Sequence, residues 1–155
     1  MAKRFQVTLE GTKEFYRNLD RLHWSMQKKV ATRALRAGCR IIRNAARANL
    51  QAHNLKDSTG ILAESLAWRV RHYPNRTVGI VGPKTDVMIM HKKHKRRPSN
   101  YAHLVEDGFN HRSGRRAQAH PFMRPAYDAH IQEARAAMER VVIRAIEQQA
   151  NFAGT

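Results

Sequence analysis

The sequence predicts an α+β chain: a long N-terminal helix and a C-terminal helix packed on a small, mostly antiparallel sheet. Three observations carry that expectation. Residues 25–50 and 125–146 repeat apolar side chains at helical spacing. Residues 4–9 and 68–82 alternate in the manner of strands. Pro74-Asn75 places a turn where a hairpin needs one.

Taken in order, "RFQVTL" sets Phe5, Val7 and Leu9 on one side of a half-buried strand, and Glu10-Gly11 ends it. Thr12 is placed to cap a short helix whose inner face is Phe15, Tyr16 and Leu19. The long helix follows from about Ser25 to Leu50. Its apolar face is Val30, Ala34, Ile41, Ala45 and Ala48, with Leu35 and Ile42 beside them. Small residues (Ala31, Ala34, Ala37, Gly38, Ala45, Ala46) allow another backbone to approach it closely. "HNLKDSTG" is a polar loop, and a short helical turn at Gly60–Leu66 passes into a strand with Trp68, Val70 and His72 alternating. "TVGIVG" is its hairpin partner, with Val78, Ile80 and Gly82 on one side.

"DVMIM" is able to extend the sheet, and "HKKHKRRPSN" reads as an exposed, mobile loop. "YAHLVEDG" reads as a short strand or helical turn closing at Gly108, followed by a second basic loop to His120. Pro121 and Pro125 then fix the start of the last helix. Its inner face is Ile131, Ala134, Met138, Val141, Val142, Ala145 and Ile146. One domain is expected, with a core over about residues 5–150 and mobile loops near 91–100 and 110–119.

Charge narrows the partners. Among 155 residues, 29 Lys+Arg face 12 Asp+Glu, a net +17 that favours phosphate backbones, anionic membranes or acidic proteins. No stretch has the roughly 20 apolar residues of a membrane span, so a membrane partner is not expected. "MAKRFQVTLE" lacks a signal-peptide core, and the lone Cys39 lies in an apolar helical pattern as a packed thiol. A soluble protein of a reducing cytosol is the expectation.

Catalysis finds little support. His91, His94, His103, His111 and His120 cluster in sequence, but no HExxH occurs, and the first two stand in a Lys/Arg run that repels cations. Glu106 and Asp107, on a strand, would point to opposite faces and join arginine salt bridges rather than form an acid/base pair. No phosphate-binding glycine loop is present. Neither catalytic residues, nor a metal, nor a cofactor is expected.

Binding has more to stand on. Arg33, Arg36, Arg40, Arg43 and Arg47 step along the long helix opposite its apolar face, with no acid from Arg21 to Lys56. That stripe rises about 21 Å. It has three readings: a track for DNA phosphates, a solvated face, or a contact with an acidic protein. The loops add Lys92, Lys93, Lys95, Arg96, Arg97, Arg112, Arg115 and Arg116.

Three motifs in order, "TGILAESL" (59–66), "YAHLVEDG" (101–108) and "HPFMRPA" (120–126), resemble the tail-component family of long-tailed double-stranded-DNA bacteriophages. Its members are also described as neck, head–tail joining or tail-completion proteins. The likeness of order covers about residues 5–146. The matching positions are Thr59, Gly60, Leu62, Ser65, Tyr101, Val105, Glu106, Gly108, Pro121, Phe122, Arg124 and Pro125; Asp107 stands where an apolar or aromatic residue is common.

These motifs make sense as architecture. Thr59 would cap the turn led by Gly60, Leu62 and Leu66 would pack it under the long helix, and Tyr101, Leu104 and Val105 would point inward. Gly108 would take a positive φ, and Phe122 would anchor the last helix.

The resemblance implies a virion protein assembled in the host cytoplasm, acting without catalysis as a six-fold or twelve-fold homo-oligomeric ring. Its neighbours would be adjacent neck rings (a head-closure or adaptor protein, a tail terminator or the tail tube), with genomic double-stranded DNA passing through the lumen. The alternatives are a tail-terminator ring and a sequence-independent basic DNA-binding protein.

Overall fold

The computed structural model describes residues 6–22, 24–53, 59–74, 76–91 and 94–153. Phe5, Asn75, Lys92 and Lys93, and the side chain of Thr59, lie outside that description. The architecture is α+β: two long helices lie against a small antiparallel sheet. β1 (Val7–Leu9) leads into α1 (Lys13–Asp20), whose first turn is capped as expected, Thr12 Oγ1 accepting the Phe15 N–H at 3.2 Å. Phe15 and Leu19 are its buried pair.

α2 spans Trp24–Ala52, α3 is Thr59–Ser65, and β2 (Leu66–Tyr73) pairs along its length with β3 (Arg76–Pro83). β3 is central, with β1 on its other edge in antiparallel register, Val7 opposite Val81 and Leu9 opposite Gly79. One residue goes beyond the expectation. Val78 and Ile80 are buried, but so is Val81 on the opposite face, the one that packs against α2.

α5 runs Met123–Ala153 and packs along α2, more extensively than any other pair of elements does. The helices are antiparallel, since Asn49 near the end of α2 meets Phe122, while Gly38 in its middle meets Met138. Gly38 is what lets them close: a Cβ there would stand 2.7 Å from a Leu9 methyl and 3.0 Å from the Met138 sulfur. The expected inner face of α5 is borne out, with Ala134, Met138, Val142 and Ala145 buried and Ile131, Val141 and Ile146 packed at their margin.

The buried band of α2 is wider than the expected one. Val30, Ala34, Leu35 and Ile42 are buried as expected, Ala31, Cys39, Ala46 and Leu50 join them, Ile41 and Ala45 are half-buried, and Ala48 is exposed. α2 lies between α5 and the sheet, so burial widens and rotates toward the residues that serve both neighbours.

Two segments between β3 and α5 depart from expectation, and a third takes one of the two forms expected of it. Residues 83–90 do not extend the sheet. Instead β4 (Ile89–His91) and β5 (His94–Arg96) form a separate antiparallel hairpin, so the first basic stretch has regular structure. "YAHLVEDG" is helical, the end of α4 (Pro98–Asp107): extended Arg97 delivers the chain to Pro98, which is suited to a first turn. β6 (Phe109–Asn110) and β7 (Arg116–Ala117) then pair across the second basic loop. Its tip is an ordered turn, His111 N–H donating to Arg115 O at 2.7 Å, with Gly114 at φ 81°.

Candidate interaction surfaces

Two of the motif segments are joined by a carboxylate. Glu106 is 2% exposed, and its Oε2 accepts the N–H groups of Phe122 (2.8 Å) and Met123 (2.9 Å), while Oε1 accepts that of Arg124 (2.9 Å). The first turn of α5 thus finds its acceptor in the last turn of α4, and a negative charge sits at the positive end of a helix dipole. The surroundings complete the joint: His120 N–H donates to Val105 O at 2.8 Å, Asn49 Nδ2 donates to Phe122 O at 3.0 Å, and His53 Nε2 lies 3.1 Å from Pro121 O.

The expectation that both carboxylates join arginine salt bridges holds for Asp107 and is corrected for Glu106. In a helix Glu106 turns inward to backbone donors, and Asp107 alone bridges an arginine, Arg124 at 2.9 Å. Gly108 does adopt positive φ (70°, ψ 174°), a region open essentially to glycine, and a Cβ there would lie 2.7 Å from Ala117 O. Tyr101 and Val105 pack against the core, Ala102 is buried, and Leu104 is only half-buried. Phe122 is fully buried, Pro121 and Pro125 stand exposed around it, and Pro125 falls in the first turn of α5.

The third motif segment is tied by Arg47. Its Nε donates to Ala63 O at 2.8 Å, and its second nitrogen donates to Glu64 O (3.1 Å) and Leu66 O (3.0 Å). A cation on the last carbonyls of α3 complements that helix end. Ser65 Oγ donates to Leu62 O at 2.8 Å, and Lys84 N–H donates to Ser65 O at 2.9 Å, so the carbonyls from Leu62 to Leu66 each have a donor. Leu62 and Leu66 are buried, and Gly60 is exposed with open space around it.

The arginine stripe is therefore not uniform. Arg47 is consumed by the α3 corner, Arg36 lies over the Trp68 ring at 5.4 Å, and Arg43 is held by Asn44 Oδ1 at 2.8 and 3.2 Å. Burial, and then the charges of Arg47 and Arg40, push the Arg43 guanidinium below its ordinary pKa. Arg33 and Arg40 are exposed, and their side chains make no hydrogen bond or ion pair with a described residue.

The two hairpins carry the remaining predicted cations: Lys95, Arg96 and Arg97 with the first, and Arg112, Arg115 and Arg116 with the second, all exposed. Arg96 lies close enough to Tyr101 to oppose the rise in the phenol's pKa that burial causes. On the outer sheet face a cleft of about 200 Å³ is bordered by Gln6, Trp68, Arg69, Lys84 and Asp86.

Among the described residues no three His, Cys, Asp or Glu side chains gather as metal ligands, and no helix is long and apolar enough to cross a membrane. His53 and His120 do meet, ring centroids 5.2 Å apart, but as part of the α2–α5 joint.

Sequence reasoning missed the roles of Glu106 and Arg47. A signal existed for the first: it is one of only two acids between Asp86 and Asp128, set ahead of a proline-flanked helix start.

Compared with known proteins, residues 13–108, from α1 to the Gly108 corner, match the family model for the bacteriophage HK97-gp10 tail component. No curated protein and no solved structure matches the chain. The matched span holds α1, α2, the β2–β3 hairpin, the α3 corner and α4, more than half of the chain. The chain belongs to the HK97-gp10-like family of bacteriophage tail components.

Proposed function

We propose that the chain is a structural subunit of the phage neck, joining or completing the head–tail connection as part of a six-fold or twelve-fold ring. The observation that carries this reading is the family match over residues 13–108. What the fold does with the polar groups of its motif segments and of Arg47 is consistent with it. Glu106, Ser65 and Arg47 are spent on helix ends and corners, while the unpaired charge lies on the surface. In this role the protein catalyses no reaction. Its two basic loops and its arginine stripe meet acidic faces of adjacent rings or subunits, or line the passage of the genomic DNA.

The test is electron microscopy of lysates from a phage lacking the gene for this chain. Filled heads and finished tails lying unjoined are expected. Complete, infectious particles would remove the neck reading. Overlong tails would instead assign the subunit to a tail-terminator ring.

A further inference from the structure

α4 carries a hairpin at each end. β4–β5 enters its first turn through Arg97 and Pro98, and β6–β7 leaves its last through Gly108. In each hairpin the strands pack chiefly on one another rather than on the body. The cations they present, Lys95, Arg96 and Arg97 on one side and Arg112, Arg115 and Arg116 on the other, make no side-chain hydrogen bond or ion pair with a described residue. Of the acids nearest in sequence, Glu106 is buried on the α5 amides and Asp107 holds Arg124, which leaves Asp86 before β4.

The same arms expose apolar side chains. Met88 at the foot of β4 is 52% exposed, Met90 is 65% exposed and Phe109 in β6 is 40% exposed. Methionine, aromatic residues and arginine together are the mixture that fills the centres of protein–protein contacts. A DNA backbone takes cations and hydrogen-bond donors but offers a methionine nothing. A second copy of this chain offers these two arms few carboxylates, 12 acids against 29 Lys+Arg, whatever contacts it makes elsewhere in a ring. The feet of the arms stand about 15 Å apart, one length of α4. That separation fits within one interface patch of about 800 Å² per partner.

We propose that the two arms together grip a different virion protein, one whose surface sets carboxylates around an apolar centre. The proposal rests on the structural-subunit reading above and gives it a docking surface.

A photo-crosslinking amino acid placed at Met90, and separately at Phe109, in the full chain within purified particles tests it. Both positions are expected to crosslink to the same other virion protein, on peptides carrying Asp or Glu. Adding Arg96→Glu with Arg116→Glu should reduce that crosslink several-fold, and adding Arg140→Glu with Arg144→Glu, exposed on α5 away from both arms in sequence, should leave it unchanged. If the first pair keeps the chain out of particles, the identity and acidity of the peptide crosslinked without it decide the matter. Adducts destroyed by nuclease, adducts to a second copy of this chain, or no adduct in particles that contain the chain would each overturn the proposal. Absence of the chain from particles, read from their protein content, would instead overturn the structural-subunit reading.

Discussion

Replacing Glu106 probes the joint between α4 and α5 most directly. Its carboxylate is buried and accepts three backbone N–H groups at 2.8–2.9 Å. Hydrogen bonds to a charged acceptor contribute about 1.5–3 kcal/mol each. They are not additive, and the Arg124 amide lies near enough to solvent to recover water. Glu106→Ala is therefore expected to cost about 3–5 kcal/mol, near the upper end for a single substitution.

Glu106→Gln separates charge from shape. The amide oxygen still reaches Phe122 and Met123, but its NH2 group faces the Arg124 N–H and the charge–dipole attraction is gone. About 1–2 kcal/mol is expected to be lost. For a chain of 155 residues, with about 2–4 °C per kcal/mol, the glutamine variant should melt about 2–8 °C lower and the alanine variant about 6–20 °C lower. Urea unfolding followed at 222 nm gives the same order, through a lower midpoint at unchanged slope. A glutamine variant as stable as the parent, or two variants equally destabilised, would refute the assignment of a charged helix cap.

Gly108→Ala should lose about 2 kcal/mol or more in the same urea assay, because alanine has no comfortable conformation at φ 70° and its methyl would press on Ala117 O. Arg47→Met should cost about 1–3 kcal/mol, whereas Arg33→Met should stay within about 0.5 kcal/mol, as only the first guanidinium holds backbone carbonyls, three of them. Burial pushes the Cys39 thiol up to about 12, so it should resist iodoacetamide at pH 8.5 in the folded chain and react freely in urea. The linked stability should decline as pH rises above about 9, where the thiol of the unfolded chain ionises and the folded one does not. Rapid labelling under native conditions would contradict the packing of Cys39 against Gly79.

What the sequence made legible was whatever repeats. The two long helices and the β2–β3 hairpin follow from spacing, and Thr12 and Gly108 act as their residue types require. Less legible was anything decided by a partner distant in sequence. The rotation of the α2 face depends on having α5 and the sheet as simultaneous neighbours. "YAHLVEDG" alternates too briefly to separate strand from helix, and Pro98 together with the α5 amides awaiting Glu106 settled it. The arginine stripe showed its spacing in the sequence, but not that Arg47 belongs to α3 or that Arg36 lies on Trp68.

The joint at Glu106 has a consequence for how this chain can change. His120 N–H reaches back to Val105 O, and the amides after it reach Glu106, so the chain leaves and re-enters the body at nearly one point. Everything between, the β6–β7 arm included, is a closed excursion whose ends the body already holds. Lengthening such an excursion is cheap, about 0.6 kcal/mol for each doubling. The arm can therefore be cut back, extended or replaced with little effect on the helices beneath it, which makes it the place where a shared body could acquire a new contact.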